Sequence, residues 1–69
     1  MKIEAHSISR YNGGVKAKRM YGSSTLTTFL VRVKGSDESF TSIEVGGKTP
    51  GDRKTAAINR FKELRDIKD

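Results

Sequence analysis

The sequence predicts an α+β domain: an antiparallel meander of three or four strands with one C-terminal helix packed on one face, in the order β(β)ββα. Three observations carry that prediction. Residues 25–34 and 39–45 alternate with period two and are rich in β-branched and aromatic side chains, the pattern of half-buried strands. The turn residues Gly35-Ser36-Asp37-Glu38 join these runs into a hairpin. After them, Thr49-Pro50-Gly51-Asp52 opens a stretch whose apolar residues recur at helical spacing.

Taken in order, residues 2–10 alternate loosely, with Ile3 and Ala5 on one side and His6 and Ile8 on the other. Two readings are open for the next segment of the chain. Residues 15–21 pair with this strand across Asn12-Gly13-Gly14 as a second hairpin, or residues 11–24 form a mobile loop. The central hairpin is better defined. Its inner face should carry Phe29, Val31, Val33, Ile43 and Val45, and its outer face Leu30, Arg32, Lys34 and Phe40, joined by Lys16 or Lys18 if the second hairpin forms. In the helix, Thr49 is the N-cap and Pro50 takes the first helical position, while Asp52 suits the positive end of the helix dipole and Arg65 and Lys68 the negative end. Ala57, Phe61 and Leu64 form the apolar stripe, flanked by Ile58 and Ile67.

Residues 1–69 make a single domain with a small core, because a chain of this size buries only about 60% of its unfolded surface. The absence of cysteine excludes a disulfide framework and a zinc–thiolate staple, so the fold rests on paired secondary structure or on a second copy, as a monomer or homodimer. No apolar run approaches the roughly 20 residues of a membrane span, and the N-terminus has no signal-like apolar segment. A cytoplasmic protein without a membrane partner is expected.

The net charge of +6 points to an anionic partner, and its distribution sharpens the point. Residues 10–34 hold six basic side chains (Arg10, Lys16, Lys18, Arg19, Arg32 and Lys34) and no acid, so all eight acids lie outside this stretch. Tyr11 and Tyr21 flank its densest part, and Ser23, Ser24, Thr25, Thr27 and Thr28 add hydroxyls. Phosphate backbones are held by this combination of cations, hydroxyls and aromatic planes. The same residues also suit a solvated hairpin whose charged edge resists aggregation.

Gly46-Gly47-Lys48-Thr49 imitates the end of a phosphate-binding P-loop, but the motif requires glycine at position 42, which is Ser42. Lys48 and the first helical N–H groups remain suited to one phosphate of a larger nucleic acid. Arg53 and Lys54 adjoin this loop and extend the basic edge. His6 has only Glu4 beside it, which makes no metal site, and no nucleophile has a base to activate it. The expected protein is therefore non-enzymatic and needs no cofactor. The mixed charges of Arg60, Lys62, Glu63, Arg65, Asp66, Lys68 and Asp69 read as a solvated helix face.

From Asn12 onward the chain resembles the arm-type DNA-binding domains of tyrosine integrases, a three-stranded sheet backed by a C-terminal helix, a plan shared by plant AP2-type domains. The resemblance is carried by Thr49-Pro50-Gly51-Asp52-Arg53-Lys54 followed by Ala57 and the apolar stripe. It implies a sheet lying in the major groove, with Lys16, Lys18, Arg32 and Lys34 reading bases and Tyr21 near the sugar–phosphate backbone. The chain departs from that family in lacking a basic N-terminal tail and a catalytic domain. It is also similar to small phage-encoded inhibitors. The resulting expectation is a small nucleic-acid-binding protein, with DNA ahead of RNA. The alternative is a phage-type inhibitor or adaptor, acting in the host cytoplasm on an acidic or RNA-binding surface of a host complex such as a defence system.

Overall fold

The computed structural model describes residues 2–67; Lys68 and Asp69, expected on the helix and its solvated face, lie outside the described residues. Strand β1 (Ile3–Asn12) leads into a short helix, α1 (Gly14–Tyr21), followed by strands β2 (Thr25–Val33) and β3 (Thr41–Gly46) and helix α2 (Pro50–Arg65). The strands form one antiparallel sheet in the order β1-β2-β3. The three-stranded α+β architecture with a C-terminal helix on the sheet is as expected, with one helix added.

The central strand β2 is buried on its inner face and, at Leu26, at one end of its outer face. Phe29 and Val31 join Ile43, Val45, Ala57 and Phe61 in the main core on the inner face, with Ile3, Ala5, Val33, Ala56 and Ile67 packed around it. The helical stripe differs from the expected one. Arg53, Ala57 and Phe61 are its buried residues, four apart, whereas Leu64 is 57% exposed. A spacing of four drifts slowly around the helix axis, so the side chains closest to the sheet run backward from Phe61 to Arg53 and leave Leu64 in solvent.

Residues 14–21 are neither a hairpin strand nor a loop. Lys16-Ala17-Lys18-Arg19-Met20 are good helix formers. The Asn12 side chain accepts the Gly14 N–H at 2.7 Å, and Gly14 turns the chain at φ 73°. At the far end Gly22 adopts the left-handed conformation and its N–H donates to Lys18 at 2.8 Å, which closes the helix. The Gly13 N–H donates to the Ser24 carbonyl at 2.6 Å, so the β1–β2 ladder is bridged beneath the helix.

Helix α1 covers one end of the outer face. Ala17 is buried beside Leu26, the cross-strand partner of Gly46. A β-carbon at Gly46 would clash with the Tyr21 ring and its Cβ, and one at Gly13 would meet Leu26 and, at 2.7 Å, Ala17. Close packing therefore explains Gly46 of the Gly-Gly-Lys-Thr segment. Gly47 contributes its carbonyl, which accepts the Arg53 Nη1 donor at 2.7 Å.

In β1 the register slips between Ser7 and Ser9, so Ile8 is an extra residue in a bulge. Before the bulge Ile3, Ala5 and Ser7 oppose Val33, Val31 and Phe29; beyond it Arg10 opposes Thr27 and Tyr11 opposes Leu26. The slip moves Arg10 to the inner face and Tyr11 to the outer one, because facing side chains alternate with period two.

Gly46→Ala should cost about 1–3 kcal/mol by overpacking against Tyr21. Gly51→Ala, whose new β-carbon comes no nearer than 3.9 Å to a neighbour, should be neutral or stabilising by up to about 1 kcal/mol. Urea denaturation of the two variants measures the contrast.

Candidate nucleic-acid interface

The strand register divides the domain into two ends of different charge. One end holds the close of β1, helix α1, the start of β2, the close of β3 and the start of α2. It carries Arg10, Lys16, Lys18, Arg19, Lys48, Arg53 and Lys54, seven basic residues, against the two acids Glu44 and Asp52. The opposite end and the later turns of α2 carry six basic residues (Lys2, Arg32, Lys34, Arg60, Lys62, Arg65) against five acids (Glu4, Asp37, Glu38, Glu63, Asp66). Five of the six net positive charges thus sit at one end.

The near-neutral end is internally paired. Arg32 Nε donates to Glu4 at 2.5 Å, and its guanidinium carbon lies 4.3 Å from the Phe40 ring centroid, where His6 also meets that ring edge-on. Glu38 accepts the Val33 N–H at 3.1 Å and pairs with Arg65. Arg60 pairs with Glu63 at 3.5 Å. Arg32 is therefore engaged within the protein, and with His6 it covers Phe40, which leaves Phe40 and Leu30 half-buried. Hydrogen bonds from Arg32 and then His6 hold the Glu4 carboxyl below its usual pKa; those from Arg65 and the Val33 N–H do the same for Glu38.

At the basic end, the sequence-predicted residues separate into two groups. On the outer side Lys16, Lys18 and Arg19 are exposed on α1, and Lys48 is exposed against its end, with its side chain 4.0 Å from where a Gly22 β-carbon would stand. None of these four makes an ion pair among the described residues. Lys16 and Lys18 thus occupy a helix rather than the outward sheet face on which base readers were expected. Tyr11 is exposed nearby, whereas Tyr21 is half-buried over Gly46 as a packing residue.

On the inner side Arg10, Arg53 and Lys54 line one groove together with Ser7, Ile8, Ser9, Thr27, Phe29, Pro50 and Gly51. Arg53 does not extend an exposed edge: it is only 4% exposed, folded under the start of α2. Lys34 stands apart, exposed at the turn at the other end. Sequence reasoning misses this groove because a bulge brings Arg10 to it and the rotation of α2 brings Arg53.

The described residues hold no cluster of three or more metal-ligating side chains, and no helix is long and apolar enough to cross a membrane. Comparison with protein-family models, curated proteins and solved structures gave no match.

The depressed carboxyl pKa values fix a direction for acid stability. A carboxyl held low in the folded state stabilises the fold above its unfolded pKa, and that stabilisation is lost as pH falls through the folded value. The thermal midpoint should therefore drop as pH is lowered from the usual glutamate range downward. The Glu4→Gln/Glu38→Gln double variant should start from a lower midpoint at neutral pH and show a shallower drop, as scanning calorimetry across a pH series would record.

Proposed function

We propose that the protein is a non-enzymatic nucleic-acid-binding module that grips the phosphate backbone with its basic end. The observation that carries this reading is the segregation of charge: Lys16, Lys18, Arg19 and Lys48 are exposed together with no acid paired to them. Cations not paired with the protein's own acids are free to displace the counterions condensed on a nucleic acid, the main source of sequence-independent affinity. Tyr11 and the hydroxyls of Ser23 and Ser24 adjoin the group as further backbone contacts. The sheet's outer face contributes little, since Glu4 neutralises Arg32 and Glu44 projects from the same face.

A second reading has an observation of its own. Val15 and Met20, on the same short helix, are 70% and 64% exposed. Apolar side chains set among cations also suit an acidic protein surface, as an inhibitor or adaptor would use.

Fluorescence anisotropy against duplex and single-stranded DNA and RNA, from about 50 to 200 mM salt, separates the readings. Four phosphate contacts to duplex DNA give a slope of log K against log salt of about −3.6. The Lys18→Glu/Arg19→Glu variant should halve that slope to about −1.8 and bind more weakly at every salt concentration. Affinity unchanged in that variant contradicts the proposal. Retention of one stoichiometric acidic protein after nuclease treatment, with no nucleic acid bound at about 50 mM salt, would favour the second reading.

A further inference from the structure

The groove on the inner face is separate from the exposed cations of α1. It has a volume of about 610 Å3, within the range of small-molecule sites. Two of its walls carry buried polar groups without partners. Arg53 is 4% exposed; its Nη1 donates to Gly47, but its Nε has no acceptor, and no carboxylate pairs with it among the described residues. Thr27, also 4% exposed, has a hydroxyl with no hydrogen-bond partner. A buried guanidinium lacking a counter-anion is strongly unfavourable, and so is a buried hydroxyl left unbonded. Neither atom is open to solvent as it stands, so a small turn of the two side chains toward the groove would let an anion there satisfy both.

Several further features favour a phosphate. Arg10, opposite Thr27 in the sheet, and Lys54, one residue beyond Arg53, line the same groove, and no Asp or Glu lines it among the described residues. The first residues of the 16-residue helix α2, Pro50 and Gly51, form part of its wall. The Thr49 side chain and carbonyl already accept the N–H groups of Asp52 and Arg53, so the helix contributes chiefly through its positive dipole end. The rest of the lining includes Ile8 and Phe29, an apolar surface that a bare inorganic ion leaves uncovered.

We propose that this groove binds a small phosphate ester. The phosphate accepts from Arg53 Nε and the Thr27 hydroxyl, Arg10 and Lys54 neutralise it from the rim, and the organic part lies against Ile8 and Phe29. The site stands independently of the α1 surface, whether or not that surface binds nucleic acid.

The Arg53 Nε–H resonance is a direct probe, followed by 15N-edited NMR at constant ionic strength with adenosine 5′-monophosphate, inorganic phosphate and adenosine. The nucleotide should shift this resonance saturably and more tightly than phosphate, while adenosine leaves it unmoved. Arg53 variants risk unfolding, so Thr27→Val and Lys54→Ala provide the check once their folded spectra are confirmed. They should weaken nucleotide binding roughly 3- to 10-fold and 2- to 5-fold, respectively. Lys18→Glu/Arg19→Glu should leave it unchanged. An Arg53 resonance unmoved by the nucleotide, an equal response to adenosine, or a nucleotide no tighter than inorganic phosphate overturns the proposal.

Discussion

The seat of Phe61 on the sheet is the contact on which the rest of the structure depends. Phe61 and Val31 are the largest fully buried side chains of a domain that has no disulfide and three phenylalanines. Once Phe61 enters the core, the rotation of α2 about its axis is set. Ala57 and Arg53 follow it onto the sheet at successive turns, and Leu64 is turned outward. Arg53 then reaches Gly47 and holds the loop between β3 and α2 against the helix it precedes. A hydrophobic anchor near the end of the helix thus positions a buried charge at its start.

Both faces of so small a sheet need cover, and one helix covers only one. Helix α1 covers one end of the second with little apolar surface: Ala17, Tyr21 and the space left by Gly13 and Gly46 let it lie close on Leu26. Its remaining side chains are free to serve another purpose, and most of them are cationic. The same economy puts the positive charge at one end, because acids elsewhere are engaged in holding Arg32, Arg65 and the β2–β3 turn in place.

The parts of the fold legible in the sequence are those in which one residue pattern had one physical solution. Strands β2 and β3 follow from alternation, although β3 begins at Thr41 rather than Ser39, and the cap of α2 is as read, with Thr49 accepting the Asp52 N–H at 3.1 Å. Helix α1 was not legible, since its helically spaced apolar residues Ala17, Met20 and Tyr21 span little more than one turn and directly follow Asn12-Gly13-Gly14, a sequence that equally suits a hairpin turn. The P-loop-like glycines illustrate the same limit, because the reason for Gly46 is a tyrosine ring 25 residues away in the chain. For the candidate site, the basic stretch was visible but its division was not. The bulge at Ile8 decides which face Arg10 takes, and the helix rotation decides that Arg53 is buried.

On the proposed function, one end of this domain meets nucleic acid while the other does not. The most direct measurement is a residue-resolved NMR titration of the 15N-labelled protein with a short DNA duplex at low salt. Shifts should concentrate on Lys16, Lys18, Arg19, Gly22 and Lys48 and spare the amides around Glu4, Lys34 and Glu38. Shifts centred on the Glu4–Arg32–Phe40 face, or spread evenly over both ends, would overturn the assignment of binding to the basic end.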